Sequence, residues 1–205
     1  MHFHLPKPLH GWRAFAGEVG VIVLGVLIAL GAGQLLETIH WRGQVAEFRK
    51  AVDIEVADDL AAYRYRVQQE PCVQQRLGEL HQWLKGERAG TRTPSPGEIG
   101  RPSLWTFRTS VWSSSSAETM NHLTLKTRDS YAALYDQLSN VDTQLGEEEE
   151  VWRNLNAFNG APELSTEDWK RARALVYRAK SVDELVTTNY PILVADAQTL
   201  GIRPE

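Results

Sequence analysis

The chain is predicted to be all-α, with one N-terminal transmembrane helix followed by a bundle of three to four long antiparallel helices and shorter helices between them. Three observations carry this expectation. Apolar residues recur at steps of three and four over most of the 205 residues, and no segment alternates convincingly as a half-buried strand. One stretch near the start, Val19-Gly-Val-Ile-Val-Leu-Gly-Val-Leu-Ile-Ala-Leu-Gly-Ala-Gly33, is apolar on every face. Long helical segments joined by turns pack most economically as a bundle.

As a helix, the stretch Val19 to Gly33 spans roughly 22 Å, less than the roughly 30 Å hydrocarbon core of a bilayer. Extended from Ala14 to Leu36 it reaches roughly 34 Å, with Glu18 and Gln34 close to the two interfaces. Trp12 and Trp41 flank it about 43 Å apart on a continuous helix, the separation of the two interfacial zones, and read as membrane-interface anchors. A secretory signal cleaved within Ala29 to Gly33 and a buried core helix are the competing readings. The acid at Glu18 and the continuation into Leu35-Leu36 favour an uncleaved anchor.

Residues 1–36 are therefore expected to form a cytoplasmic tail and anchor, and residues 37–205 a soluble helical domain. Lys7, Arg13 and the free amine precede the first acid, Glu18, which favours a cytoplasmic N-terminus. Arg42, Arg49 and Lys50 partly balance that bias, but a long domain translocates largely regardless of its charge. The expected placement is a single pass through a bacterial inner membrane, with the C-terminal domain in the periplasm. Gly25, Ala29 and Gly33 share one helix face, a small-xxx-small spacing that suits transmembrane helix packing and a homodimer; generic small-residue content explains it equally well.

Beyond the anchor, Trp41, Val45, Phe48, Val52, Val56, Leu60, Tyr63 and Val67 keep one apolar face for about seven turns. That face suits a coiled-coil continuation of a dimer seam or packing within one bundle. Pro71 permits a break or a new first turn, and Val73, Leu77, Leu80 and Leu84 mark a second helix running back. Pro94, Pro96, Pro102 and four glycines make 86–103 a loop, expected to be mobile.

Ser115 followed by Glu118 fits a capping box that opens a short helix over Ala117 to Leu123. From Thr127, the positions Tyr131, Leu134, Leu138, Val141, Leu145, Trp152 and Leu155 form a third long amphipathic face ending near Asn159-Gly160. Ser165 with Asp168 marks another start, and the helical step then holds from Trp169 through Leu200 to Gly201. Because the register survives Pro191, that proline is expected to kink the last helix without ending it.

Gly17-Glu18-Val19, the run Val26-Leu27-Ile28-Ala29-Leu30, Gln34 and Glu37, followed by a long amphipathic helix, resemble a group of uncharacterised bacterial single-pass membrane proteins. Their shared signature is a short N-terminal tail, a glycine-containing anchor and a helical extracytoplasmic domain. The resemblance covers about the first 60 residues and is looser over Trp112 to Tyr135. It implies topology and transfers no activity.

The net charge is −4, and only Lys7, Arg13 and Glu18 precede residue 37, so the remainder is more acidic still and a nucleic-acid partner is disfavoured. Cys72 is the one cysteine, which excludes an intrachain disulfide and a cysteine-based metal site. No phosphate-binding glycine loop, Gly-x-Ser-x-Gly elbow or His-Glu-x-x-His helix is present, so no cofactor, metal or catalytic residue is assigned and the chain reads as non-enzymatic. His2 and His4 do not make a metal site by themselves, and His40, His81 and His122 are widely spaced. Ser113 to Ser116 read as caps or a turn, and Glu147 to Glu150 as a solvated helix face.

Two functional classes remain. The first is a membrane-anchored interaction or scaffold protein whose bundle presents a surface to an envelope protein partner. The second is an extracytoplasmic small-ligand-binding module acting through a membrane partner. Its ligand would be anionic or aromatic and held in a crevice near Arg108, Trp112, Tyr131 and Tyr135, with Arg108 as the anion partner.

Overall fold

In the computed structural model, residues 11–88, 97, 99, 100, 102, 105–161 and 163–203 are described, and every regular element among them is a helix. The order is α1 (Gly11–Gln68), α2 (Glu70–Arg88), α3 (Ser110–Ser113), α4 (Ala117–His122), α5 (Leu125–Asn156) and α6 (Thr166–Thr199). The all-α expectation holds for these residues. The chain divides into two compact units, Met1–Glu47 and Phe48–Glu205.

The first unit is helical from Gly11 onward, within α1. Its apolar stretch is exposed: Val21 is 72% exposed, Ile22 67% and Leu30 61%, and among the described residues a Cβ added at Gly25 or Gly33 would meet no neighbour. Among the described helices, α1 is the one long and apolar enough to cross a membrane. A core helix of a soluble protein passes the same length test, but it is mostly buried, whereas none of this apolar window is. At the polar margin, the Thr38 hydroxyl donates to the Gln34 carbonyl at 2.8 Å, the back-bond by which a threonine satisfies itself inside a helix.

The second unit has two apolar cores. In the first, Val52, Val56, Leu60 and Tyr63 of α1 meet Tyr131, Leu134, Tyr135, Leu138, Val141 and Leu145 of α5 and Val182, Val186, Leu193 and Ala197 of α6. In the second, Val73, Leu77, Leu80, Trp83 and Leu84 of α2 meet Val151, Trp152, Leu155 and Phe158 with Ala172, Val176 and Ala179 of α6. Thus α5 and α6 run through both cores, and α1 and α2 each complete one. The alanines at positions 172, 179 and 197 are fully buried, letting α6 approach its neighbours closely. Each fully buried Leu or Val contributes about 1.5–3 kcal/mol relative to exposure. Aromatic pairs add to the packing: Trp83 and Trp169 lie 4.7 Å apart between centroids, and the Tyr190 ring meets Tyr63 edge-on at 5.1 Å.

Helix ends follow local chemistry. Gln69 separates α1 from α2, and its carbonyl accepts the Cys72 and Val73 N–H groups at 2.9 and 3.0 Å. Pro71 stands in the first turn of α2, where a missing N–H costs nothing. The Ser165 hydroxyl accepts from Asp168 N, and the Asp168 carboxylate accepts in return from Ser165 N, the expected capping box. Donation by the Ser165 hydroxyl at 2.6 Å, and then by its N–H, holds the Asp168 carboxyl below its ordinary value. At the far end of α6, Ile202 N donates to Ala197 O and Gly201 N to Gln198 O, a Schellman closure that requires the positive φ of 85° at Gly201. Pro191 lies inside the continuous α6, as its register predicted.

Several boundaries differ from expectation. The N-cap of α4 is Ser116, which accepts from Thr119 N at 3.1 Å, so the Ser115–Glu118 pair is displaced by one residue. Helix α5 opens at Leu125 on a Thr124 cap, two residues before Thr127, and closes at Asn156. The turn α3 was not foreseen. Helix α2 continues past Gly86 to Arg88, and most of the expected 86–103 loop lies outside the described residues.

Candidate functional site

The segment from Phe107 to Trp112 is fastened to α1 and α5 by carboxylates. Asp142 of α5 accepts Phe107 N at 3.1 Å, and both oxygens of Asp59 accept Arg108 N at 3.1 and 3.0 Å. One turn earlier on α1, Glu55 accepts Val111 N at 2.9 Å and the Ser110 hydroxyl at 3.1 Å. Three acids thus accept backbone donors of the stretch that leads into α3, including first-turn N–H groups that have no partner within the helix. Phe107 itself is buried and tilts against Tyr63, 5.7 Å between centroids.

This clamp sets the position of Trp112. Its indole stacks on Tyr135 at 5.0 Å and 9°, leans on Tyr131 at 6.0 Å, and lies 6.3 Å from Phe48. Both tyrosine hydroxyls are engaged: Tyr135 donates to Glu55 at 2.7 Å and Tyr131 to Asp53. Burial, then the neighbouring Asp53 carboxylate, pushes Tyr131 up to about 12, and burial with Glu55 raises Tyr135 as well. The two phenols therefore remain protonated donors.

Of the four residues singled out for a ligand crevice, the fold brings Trp112, Tyr131 and Tyr135 together. The Arg108 guanidinium, by contrast, is half exposed and pairs with Asp58, also half exposed, while its backbone N–H meets Asp59. Burial raises Asp59 from its ordinary carboxylate value to about 7, against the pull of the Arg108 N–H and charge. Glu55 and Asp58 are its acidic neighbours. Ser113 and Ser114 bond back to the Thr109 and Val111 carbonyls and Ser116 caps α4, so these hydroxyls shape the turn.

A second polar cluster lies where α1 meets α2. Arg66, 2% exposed, donates through Nε to Glu148 at 2.8 Å and through Nη2 to both Glu148 and Asp183, the latter at 2.6 Å. Glu148 and Asp183 are fully buried. Gln74 joins by donating to Asp183 and Glu70, each at 2.7 Å. Burial opposes the charge on Arg66, but its bonds to Glu148 and Asp183 outweigh that and raise its pKa. Burial also raises Glu70. The Glu147 to Glu150 run is consequently not a uniformly solvated face. Glu148 points into the core, Glu147 pairs with Arg178 at 2.8 Å, Glu149 with Arg153 at 3.0 Å, and Glu150 is exposed.

The remaining expectations fall on single residues. Trp12 is 79% exposed and Trp41 half-buried, while Gly25, Ala29 and Gly33 are exposed. His40 meets the Trp41 ring edge-on and His81 meets Tyr177, and Cys72 is an exposed thiol. His2 and His4 lie outside the described residues. Among the described residues, no group of three His, Cys, Asp or Glu side chains is placed to hold a metal ion.

The acids that matter most were the ones periodicity passed over, yet a signal existed. Glu55 and Asp59 are four apart and interleave with Val52, Val56 and Leu60, a placement that puts carboxylates at the border of an apolar face. No family model matches the chain, and no curated protein or solved structure matches it.

Proposed function

We propose that the chain is a membrane-anchored helical interaction or scaffold protein of the bacterial cell envelope, without catalytic activity. In this reading the apolar part of α1 crosses the inner membrane, with the N-terminus cytoplasmic. The residues from 37 onward fold in the periplasm as a bundle of long antiparallel helices that presents a surface to another envelope protein. Kinship with bacterial single-pass proteins belongs to the same reading, as does pairing of two copies through Gly25, Ala29 and Gly33. The supporting observation is that Val19 to Gly33 is exposed on all sides of its helix although every side chain in it is apolar or absent. Lipid is the solvent in which such a surface is stable.

An extracytoplasmic small-ligand module is the second reading. It stands behind the first because Trp112 is stacked on Tyr135 and both tyrosine hydroxyls are taken by acids of α1, so those rings already satisfy one another. Proximity crosslinking of the full chain in native membranes tests the leading proposal. A recurrent envelope protein or a second copy, recovered above background, is the expected result. Recovery of neither, together with a monodisperse monomer after purification, would overturn it. A C-terminal reporter active only outside the cytoplasm should be active, and activity of a cytoplasm-only reporter would reverse the assigned orientation.

A further inference from the structure

The exposed side of α6 changes character halfway along. Up to Glu184 it is studded with charge: Glu167, Lys170, Arg171, Arg178, Lys180 and Glu184 are all exposed. From Leu185 to Thr199 no exposed position is charged. Leu185, Thr188, Ile192, Ala195 and Thr199 follow one another at steps of three and four, so they form a single stripe on the helix. Its large members stand out into solvent, Leu185 48% and Ile192 52% exposed. The outer face of a helix is ordinarily charged, and loss of charge around protruding aliphatic side chains marks a protein interface.

A groove of about 510 Å³ runs beside that stripe, between α5 and α6. The buried Val141 and Leu193 lie at its base, Leu185 and Ile192 border it from α6, and Gln137, Asn140 and Gln144 border it from α5. Its amides are already matched, Asn189 donating to Gln144 at 2.9 Å and Gln137 to Asp196 at 2.6 Å, so an apolar side chain can enter without stripping them of partners. Glu147, the one charged side chain among the described lining residues, pairs with Arg178 at 2.8 Å. An aliphatic ridge next to an apolar-based groove is self-complementary, because a twofold rotation brings each ridge to the other's groove. Each chain carries a net charge of −4, so two copies repel one another, and a neutral face is where that repulsion costs least. Nothing on the face selects a partner of opposite charge. We propose that it joins two copies of the chain about a twofold axis, the Leu185–Ile192 ridge of each lying in the α5–α6 groove of the other. The uncharged stretch is only about 21 Å long, which puts the contact among the smaller interfaces, so the dimer dissociates readily. This surface is separate from Gly25, Ala29 and Gly33, and pairing through it does not require them.

The test places the photoreactive residue p-benzoylphenylalanine at Asn140 in the full chain, irradiates intact cells expressing it, and maps the adduct by peptide mass. A dimer-sized adduct joining position 140 to a peptide of the second copy within 185–199 is the expected result. Leu185→Glu and Ile192→Glu each put an unpaired charge into the joint and should lower the adduct yield at least about tenfold. Their thermal midpoints should match that of the parent, since both positions are exposed in the single copy. Gly25→Leu combined with Gly33→Leu should leave the yield unchanged, because those substitutions block only close approach of α1 helices. No dimer-sized adduct, an adduct to a different protein alone, or an equal yield from a probe at the exposed Glu167 outside the face would overturn the proposal. So would loss of the adduct in the glycine variant with full yield in both glutamate variants, which would assign the pairing to α1.

Discussion

Asp59 couples folding to pH in the direction opposite to most carboxylates. Its folded value of about 7 lies above the ordinary 3.8, because burial penalises the ion more than the Arg108 N–H and charge favour it. Below about pH 4 the group is protonated whether folded or not. Between about 4 and about 7 the unfolded chain has released the proton while the folded chain retains it, so this residue's contribution to stability declines as pH rises through that window. Above it the loss is complete and constant. Thermal unfolding from pH 4 to 8 should show the wild type losing ground against Asp59→Asn as pH increases; parallel curves would refute the assignment. Glu70, also raised by burial, acts in the same sense, and Asp168, held low by Ser165, in the opposite one. Arg66 makes a larger difference near neutral pH. Replacing it with Ala leaves Glu148 and Asp183 buried without their cation, and should cost about 3–5 kcal/mol in denaturant unfolding. Apolar positions such as Val56, Leu138 and Val186 were legible in the sequence because burial repeats with the helical period. Glu148 was not, although it lies three residues after Leu145 and three before Val151 on the buried stripe, since a run of four acids reads as solvent-facing. Only the arrival of Arg66 from another helix makes its burial tolerable.

Helix ends were readable at α6, where both caps are local and unambiguous. The Ser165–Asp168 box is complete within four residues, and Ser165→Ala should destabilise the fold by about 0.5–2 kcal/mol, seen as a lower unfolding midpoint with an unchanged slope. Gly201 was recognisable as the stop of α6 because the chain there needs a left-handed residue. Pro191 illustrates the complementary case. Its ring removes one backbone bond from α6, yet Leu193 and Ala197 beyond it remain in the first core, so packing carries the helix across the defect. The segment 107–112 shows where local reading stops. Nothing in its own residues specifies its course, because its N–H groups are accepted by Glu55, Asp59 and Asp142, which lie far from it in the chain. The cap of α4 is ambiguous for a different reason: its bond is local, but two neighbouring serines compete for the role and Ser116 takes it.

The molecule comprises a folded helical unit and a long first helix whose N-terminal part is long and apolar enough to cross a membrane. The long apolar helix was the most legible part of the sequence, since fifteen residues without a charge or turn need no tertiary information to interpret. A cavity of about 200 Å³ lined by Val73, Ile99 and Trp152 was the least legible feature, because it exists only where α2, α5 and the stretch near Ile99 meet. An arginine at the centre of a transmembrane helix costs about 2.5–3.5 kcal/mol, so Leu27→Arg should shift protein from the membrane to the soluble fraction. The account rests above all on stable, uncleaved insertion, which alkaline carbonate extraction of membranes from cells expressing the full chain measures directly when combined with the intact mass of the extracted protein. The full-length mass should remain in the membrane pellet. Release into the supernatant, or a mass lacking the residues up to about Gly33, would contradict the anchor and with it the proposed role.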